Sequence, residues 1–219
     1  MVYKIAIDGP AGSGKSTISE ILRSKLGFMR INSGNLYRAV TFVLTSHFGS
    51  YNLEDPEIVK FIENISFKFD KETIFYCGEN ITDRLRTKII DNEVMKVAKP
   101  LYVRNKVHKL QSEVIEKSEV GIIIEGRDIG TNILPDATLK IFLTASPEIR
   151  AIRRHRERPA VSFEDTLKAI KERDYEDINR KHGPLVVAHD AIIVDTDNKP
   201  IEDVVDKIYS LFIDKISNE

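Results

Sequence analysis

The start of the chain passes from an apolar run to a glycine-rich segment and then to a helical pattern. Residues 2–7 are mostly apolar and β-rich, and residues 9–14 interrupt them with glycines. Apolar residues then recur at the spacing of a helix, at Ile18, Ile21, Leu22 and Leu26. This pattern predicts a strand, a glycine loop and a helix that begins near Lys15.

Three further apolar runs are separated by helical patterns. They are residues 122–124, 139–143 and 192–194, and each is typical of a buried strand. The C-terminal stretch places apolar residues on one helical face: Ile201, Val204, Val205, Ile208 and Phe212. The alternation of strands and helices predicts an α/β protein whose parallel sheet is covered on both faces, with a closing amphipathic helix.

Two segments depart from this alternation. Residues 63–82 alternate apolar and polar positions and contain a β-rich run, which predicts two or three short antiparallel strands in an inserted subdomain. Residues 150–181 are rich in charge and have few bulky apolar residues before Phe163. We expect this second segment to be exposed and mobile.

Composition narrows the class of protein. With 33 Lys and Arg against 34 Asp and Glu, the net charge of −1 argues against a broadly basic nucleic-acid-binding surface. No apolar run is long enough to span a membrane, and the first residues lack a signal-peptide pattern, so we expect a cytoplasmic protein. The single cysteine, Cys77, excludes a disulfide framework within the chain.

A phosphate-binding motif follows the first predicted strand. Residues 9–16 read GPAGSGKS, which matches GxxxxGK[ST] in full. In this motif the backbone N–H groups face phosphates, Lys15 reaches the β- and γ-phosphates, and the Ser16 hydroxyl can bind Mg²⁺. The candidate nucleotide-binding residues are Gly9, Pro10, Ala11, Gly12, Ser13, Gly14, Lys15, Ser16 and Thr17.

The remaining motifs favour a kinase over a GTPase. The sequence contains neither DxxG nor NKxD, which GTPases use to sense and select the nucleotide. Arg38 instead follows the first predicted helix, and Arg127 follows a predicted strand. If residues 171–180 form a single helix, its spacing places Arg173, Asp177 and Arg180 on one face. Because the carboxyl ends of strands bind ligands in open α/β folds, these cations predict a site where phosphates meet.

Motifs along nearly the whole chain resemble the bacterial-type cytidylate kinase family of nucleoside monophosphate kinases. They are IDGPAGSGKST (7–17), SGNLYR (33–38), LRT (85–87), VR (103–104), EGRDIGT (125–131), PDATLKIFLTAS (135–146) and IKERDYEDINR (170–180), followed by PL at 184–185. The GRDIGT, KERD and terminal NR pieces are specific to this family among P-loop kinases, and the motifs stand in the family's order.

The resemblance implies an activity and a domain plan. The reaction is transfer of a phosphoryl group from ATP, with Mg²⁺, to CMP or dCMP in pyrimidine metabolism, by a monomer. The fold is a three-layer P-loop NTPase core formed by residues 1–33, 104–149 and 182–219. Residues 34–103 form a monophosphate-binding subdomain that includes the β-rich insert at 63–82, and residues 150–181 form a short helical lid.

The resemblance also assigns roles to individual residues. Lys15, Arg127 and Arg180 are the expected catalytic residues. Ser33, Arg38, Arg127 and Arg180 hold the acceptor phosphate, Arg104 and Asp128 read cytosine, Arg173 and Asp177 face the pentose, and Arg154, with Arg150 and Arg153, approaches ATP. The chemistry of Asp128 agrees, since a carboxylate accepts from the cytosine amino group and repels the uracil oxygen.

The chain departs from the family pattern at three positions. Asn32 and Glu125 stand where the family usually has aspartate, and the longer Glu125 side chain is expected to shift a water-mediated contact with Mg²⁺. Met95 stands where the family often has a serine that contacts cytosine, which predicts looser base selectivity.

Two alternatives remain at the level of sequence. One is a small-molecule P-loop kinase with another acceptor, such as UMP, AMP or shikimate. The other is a nucleotide-sensing or scaffold protein on the same fold that does not catalyse a reaction. The intact Lys15 and Ser16 and the set of arginines argue against the second alternative.

Overall fold

Five strands form the main sheet of the computed structural model, which describes residues 2–70, 72–157 and 159–217. The strands are β1 (Lys4–Asp8), β2 (Met29–Asn32), β6 (Ile122–Gly126), β7 (Leu139–Thr144) and β8 (Ile192–Asp195), in the order β2-β6-β1-β7-β8. Strand β1 pairs in parallel with β6 and β7, and β7 pairs in parallel with β8. The predicted α/β class with a parallel core sheet is confirmed.

The chain divides into two compact units, and most of this sheet lies in the first. That unit comprises Met1–Arg30 and Glu119–Glu219, and the second comprises Ile31–Ser118. The helices of the first unit are α1 (Lys15–Leu26), α6 (Pro147–Glu157), α7 (Phe163–Asn179) and α8 (Ile201–Ser217). Helix α1 begins at the predicted Lys15 and ends at Leu26, where Gly27 caps it with a positive φ of 68°.

A hydrophobic core lies between the sheet and two helices of the first unit. Strands β1, β6, β7 and β8 contribute apolar residues to it, α1 contributes Ile18 and Leu22, and α8 contributes Val204, Val205, Ile208 and Phe212. The rings of Tyr3 and Phe28 meet Phe212 edge-on, with centroids 5.6 and 5.5 Å away. The closing helix is therefore confirmed as a core element, although Ile201 at its start is half exposed.

Two expectations about burial need correction. Strand β8 is not fully buried, because it lies at the edge of the sheet. Ile192 and Ile193 are 37% and 55% exposed, while Val194 is fully buried. The 150–181 segment is not uniformly exposed, since α6 and α7 pack together and bury Arg150, Ile170 and other side chains. Charge alone does not indicate exposure here, because Arg150 and Asp177 are buried in ion pairs.

The second unit combines helices with the predicted antiparallel strands. Its helices are α2 (Ser33–Phe48), α3 (Pro56–Asn64), α4 (Lys88–Val97) and α5 (Leu101–Glu116), with a 3₁₀ turn at Thr82–Arg86. Strands β3 (Lys68–Asp70), β4 (Thr73–Tyr76) and β5 (Glu79–Asn80) form an antiparallel sheet, as predicted for residues 63–82. Asn32 caps α2, because its side chain accepts from the Asn35 N–H at 3.2 Å.

Across the described parts of the chain, every helix is too short or too polar to cross a membrane.

We predict that Phe212→Ala lowers the free energy of unfolding by about 3–5 kcal/mol, because it removes a buried ring and leaves a cavity. Urea denaturation measures the change. Ile201→Ala on the same helix is the control, and it should change stability by less than about 0.5 kcal/mol because the side chain is half exposed. Equal effects of the two substitutions would contradict the assignment of α8 to the core.

Candidate active site

The phosphate loop between β1 and α1 is held in a conformation that requires glycine. Gly9, Gly12 and Gly14 all have positive φ, at 149°, 80° and 94°. A Cβ atom on Gly9 would lie 2.1 Å from the carbonyl oxygen of Leu143, which is impossible without moving the backbone of β7. The spacing of glycines in the motif is therefore a steric requirement of this loop.

Lys15 lies inside the loop and donates to its backbone. The Nζ atom is 2.7 Å from the carbonyl oxygens of both Gly9 and Pro10, and 3.4 Å from the Ser13 hydroxyl. Burial lowers the pKa of Lys15 well below its usual value, and the nearby Arg127 lowers it further. A phosphate in the loop would oppose both effects, so phosphate binding and protonation of Lys15 support each other.

Three side chains hold the other loop carbonyls from outside. Arg150 donates to the oxygen of Ala11 at 3.2 Å, Arg153 to Gly12 at 3.4 Å, and Thr196 to Ser13 at 3.3 Å. The C=O and N–H groups of a trans peptide point in opposite directions. The N–H groups of Gly12 and Gly14 therefore point away from the side chains that hold the Ala11 and Ser13 carbonyls. This arrangement leaves amide donors available to an anion.

Arg150 is itself fixed by a buried ion pair. Its two Nη atoms are 2.9 and 2.6 Å from the carboxylate of Asp174 on α7, and its Nε donates to Ala145 at 2.9 Å. The side chain is only 3% exposed. Helix α7 is thereby connected to the phosphate loop through one guanidinium. Arg154 is half-buried on the same helix as Arg150, and its contact with ATP stays a prediction.

Glu125 at the end of β6 faces the first turn of α1. Its Oε2 accepts from the Ser16 hydroxyl at 2.9 Å, and its Oε1 accepts from the Ser19 hydroxyl at 3.2 Å. Arg30 on β2 forms an ion pair with the same Oε1 at 3.2 Å. A hydroxyl and a carboxylate are oxygen ligands of the kind that Mg²⁺ prefers, so the predicted residue Ser16 stands in a suitable place.

Asp8 is a buried carboxylate at the end of β1. Its two oxygens accept from the N–H groups of Ile129 at 2.9 Å and Gly130 at 2.7 Å, and they fix the short helical turn Ile129–Ile133. Burial, with a smaller contribution from Asp128, raises the pKa of Asp8 to about 6 despite the two amides and Lys15. Asp8 thus holds the backbone directly after Asp128.

Four of the predicted acceptor-site residues meet in the first unit. Arg127 Nε is 2.7 Å from Asp177 Oδ2, and Arg180 Nη atoms are 3.5 Å from both Asp177 and Asp128. Burial alone would raise the pKa of Asp177, but Arg127, Arg173 and Arg180 outweigh it and lower the pKa below its usual value. The Asp177 carboxylate is therefore held in its ionised form by the arginines around it.

One detail of this cluster corrects the expectation of a single helix. Helix α7 ends at Asn179, and Arg180 follows it with extended backbone, φ −66° and ψ 143°. The Arg180 Nε donates to the Gly183 carbonyl, which turns the side chain toward Asp128 and Asp177. The side chains of Arg180 and Asp177 therefore meet because of this turn rather than because of helical spacing.

Of the other predicted acceptor residues, Arg173 lies on α7 in the first unit, and the remaining three belong to the second unit. Ser33 is buried at the start of α2. Arg38 forms an ion pair with Asp91 at 2.7 Å and donates to the Leu85 carbonyl at 3.0 Å. Arg104 is 2% exposed, with its guanidinium carbon 5.6 Å from the centre of the Tyr37 ring. Met95 is half-buried on α4.

Sequence reasoning missed several side chains that support the site. They are Asp8, Ser19, Arg30, Asp174 and Thr196. Asp8 and Thr196 could have been found, because a polar residue at the carboxyl end of a predicted strand lies where such folds place their ligands. Arg30 acts through partners distant in sequence, so no local pattern marks it. Asp174 stands in the KERD motif, but its role depends on Arg150, which is distant in sequence.

The parallel sheet, the phosphate loop and the arginine cluster define a P-loop kinase. A sequence model of the family described as cytidylate kinase matches residues 5–214. A probable cytidylate kinase of Vairimorpha ceranae (strain BRL01) is 58% identical over 217 residues, which cover 99% of this chain and 100% of that protein. The chain belongs to the cytidylate kinase family.

Further relatives agree with this assignment. A cytidylate kinase of Clostridium botulinum (strain Langeland, type F) is 44% identical over 212 residues, which cover 94% of this chain and 96% of that protein. The crystal structure of TT1252 from Thermus thermophilus is 18% identical with a TM-score of 0.52, and the match covers 97% of each chain. At that identity the structural similarity shows a shared fold alone.

We predict that Arg150→Met weakens ATP binding at least about tenfold, because the loop carbonyl of Ala11 and the Asp174 carboxylate lose their partner. The unfolding free energy should fall by about 3 kcal/mol, as for other broken buried pairs. Titration with a fluorescent ATP analogue and thermal denaturation measure the two effects. Arg156→Met, at an exposed position of the same helix, is the matched control. Unchanged ATP affinity in Arg150→Met would show that the loop does not depend on this residue.

A second prediction concerns pH. Folded Asp8 keeps its proton up to about pH 6, whereas the unfolded chain releases it near 3.8, so this group's stabilisation is lost as the pH rises. Between about pH 5 and about pH 7 the wild type should lose about 1 kcal/mol of unfolding free energy relative to Asp8→Asn. Denaturant unfolding at both pH values measures this, with exposed Asp70→Asn as the control. A parallel pH dependence in wild type and Asp8→Asn would contradict the assignment.

Proposed function

We propose that this protein transfers the γ-phosphoryl group of ATP to CMP, giving ADP and CDP, with dCMP as a second acceptor. The observation that carries the proposal is the cluster of Arg127, Asp128, Asp177 and Arg180 in the unit that contains Lys15 in its phosphate loop. Such a cluster offers cations to phosphates and a carboxylate to an amino group, which are the groups that CMP presents.

At the ATP end, the proposal rests on the phosphate loop and the residues around it. Backbone amides of the loop bind the phosphates, and Lys15 leaves the Gly9 and Pro10 carbonyls to bind the transferring phosphoryl group. Ser16, supported by Glu125, would hold Mg²⁺, which would supply positive charge to offset that of the ATP phosphates. Thr17 follows on the exposed side of the first turn, and Arg154 contributes from α6.

At the acceptor end, we infer that arginines exchange carboxylate partners for phosphate. Arg127 and Arg180 are paired with aspartates in the structure, and Arg38 is paired with Asp91. A phosphate carries more charge than one carboxylate and accepts several donors at once, so it competes for these guanidinium groups. Ser33 adds a hydroxyl to the same phosphate.

Recognition of cytosine and the pentose uses the remaining predicted residues. We infer that Asp128, which lies beside Arg180, accepts from the cytosine amino group. Arg104 donates to the other polar edge of the base, and Arg173 and Asp177 face the pentose. A base that cannot satisfy Asp128 would cost about 1–3 kcal/mol, which is roughly ten- to a hundredfold in preference.

The proposed reaction needs positioning and charge stabilisation rather than a general base. The acceptor phosphate is already anionic at neutral pH and is itself the nucleophile. Lys15, Arg127 and Arg180 stabilise charge on the transferring group and hold the reactants in line. We infer that residues 34–103 bind the monophosphate and that residues 150–181 exclude water, which would otherwise accept the phosphoryl group.

A coupled assay of ADP release tests this function. With ATP and Mg²⁺, CMP and dCMP should be the preferred acceptors over UMP, AMP and shikimate. Lys15→Ala should remove most activity, because it loses the charge on the transferring group. Asp128→Ala should lower kcat/KM for CMP at least about tenfold and leave ATP affinity nearly unchanged, because it removes a contact to the base alone.

The panel of acceptors also separates the alternatives. Equal rates with UMP and CMP would reject the role of Asp128 and support looser base selection at Met95, while the kinase chemistry would stand. Preference for AMP or shikimate would reject the acceptor. ATP binding without turnover on any acceptor would favour a nucleotide-sensing protein.

A further inference from the structure

Glu125 is a buried carboxylate whose two oxygens have different partners beside the phosphate loop. Its long side chain has three torsions to fix. In the structure its carboxylate is nevertheless held at both oxygens, and its side chain is only 3% exposed. The two oxygens have different partners, which indicates that each has a different role.

One oxygen of Glu125 faces the predicted metal ligand. The Ser16 hydroxyl donates its proton to Oε2 at 2.9 Å. A hydroxyl that donates in this direction turns its lone pairs away from the carboxylate, which is the orientation in which it can bind a cation. The position of Oε2 therefore determines whether Ser16 is ready to bind a metal ion.

The other oxygen faces Arg30. The Arg30 Nη1 atom is 3.2 Å from Oε1, and the same nitrogen donates to the Ser16 carbonyl at 2.8 Å and to the Ser19 hydroxyl at 3.1 Å. The Arg30 Nε lies 3.3 Å from Glu20 on α1. Arg30 thus joins the end of β6 to the first two turns of α1, with its side chain 11% exposed.

We propose that Arg30 is a positioning residue for the metal-dependent part of nucleotide binding. It fixes Oε1 of Glu125, so that Oε2 stays on the Ser16 hydroxyl and the hydroxyl presents its lone pairs to Mg²⁺. This inference rests on the proposed function, because it assumes that ATP occupies the phosphate loop.

The proposal is tested by the gain in ATP affinity that Mg²⁺ provides. ATP binding is measured by calorimetry on the full-length protein, once in excess EDTA and once in saturating Mg²⁺. Arg30→Gln should leave the affinity in EDTA nearly unchanged and reduce the gain from Mg²⁺ about tenfold, as is typical when the support of a metal ligand is lost. A merely structural role would weaken binding equally in both conditions.

A double-mutant cycle identifies the partner. Glu125→Asp shortens the carboxylate so that it no longer spans Ser16 and Arg30, and it should reduce the Mg²⁺ gain by itself. Arg30→Gln should then have less than about a threefold further effect in the Glu125→Asp background, because its partner has already been withdrawn. Glu125→Asp keeps the charge, so it also serves as the informative variant if Arg30→Gln does not fold.

Arg23→Gln is the matched control, since Arg23 is an arginine of α1 that also pairs with Glu20. It should leave the Mg²⁺ gain unchanged. A larger gain in Arg30→Gln would overturn the proposal, because Arg30 would then act as a charge that competes with the metal ion. An unchanged gain in both Arg30→Gln and Glu125→Asp would overturn it as well. Failure of the wild type to bind ATP in either condition would instead reject the proposed function.

Discussion

The orientation of the loop carbonyls is the constraint on which the active site depends. A loop that binds phosphate must turn its N–H groups toward the ligand, and its carbonyl oxygens then need other donors. Lys15 donates hydrogen bonds to the carbonyl oxygens of Gly9 and Pro10. Arg150 donates to the carbonyl oxygen of Ala11, and Thr196 donates to that of Ser13. The strands and helices of the first unit bring these donors together from distant parts of the sequence.

This constraint explains why buried charge is concentrated around the loop. Arg150 could not be buried without Asp174, and the Glu125 carboxylate could not be buried without Arg30 and two hydroxyls. The arginines proposed to hold the acceptor phosphate are paired in the same manner. The ion pairs therefore keep arginines oriented in the absence of substrate, and the proposed function requires that some of them open when a phosphate arrives.

Local patterns predicted the frame of this fold well. The phosphate motif fixed the start of α1 at Lys15, and apolar runs located β6 and β7, because buried parallel strands are continuous in apolar residues. Strand β8 was predicted as buried although two of its residues are exposed, since an edge position depends on strand order and not on local composition.

The residues of the candidate site could be predicted only in part from local sequence patterns. Motifs and family resemblance named the residues expected to touch the substrates, and the structure brings Arg127, Asp128, Asp177 and Arg180 together. The supporting residues were not predicted. The roles of Arg30 and Asp174 become clear only when the structure shows that they pair with Glu125 and Arg150. Helical spacing also gave the wrong reason for the meeting of Arg180 and Asp177, since α7 ends before Arg180.

A crystal structure with non-hydrolysable ATP and CMP bound would test the central claim most directly. The account predicts that Lys15 releases the carbonyls of Gly9 and Pro10 and moves to the phosphates. The hydrogen bonds from Arg150 and Thr196 to the loop should remain, and Arg127 and Arg180 should contact the CMP phosphate. A loop whose carbonyls change partners when ATP binds, or a CMP bound away from these arginines, would contradict the account.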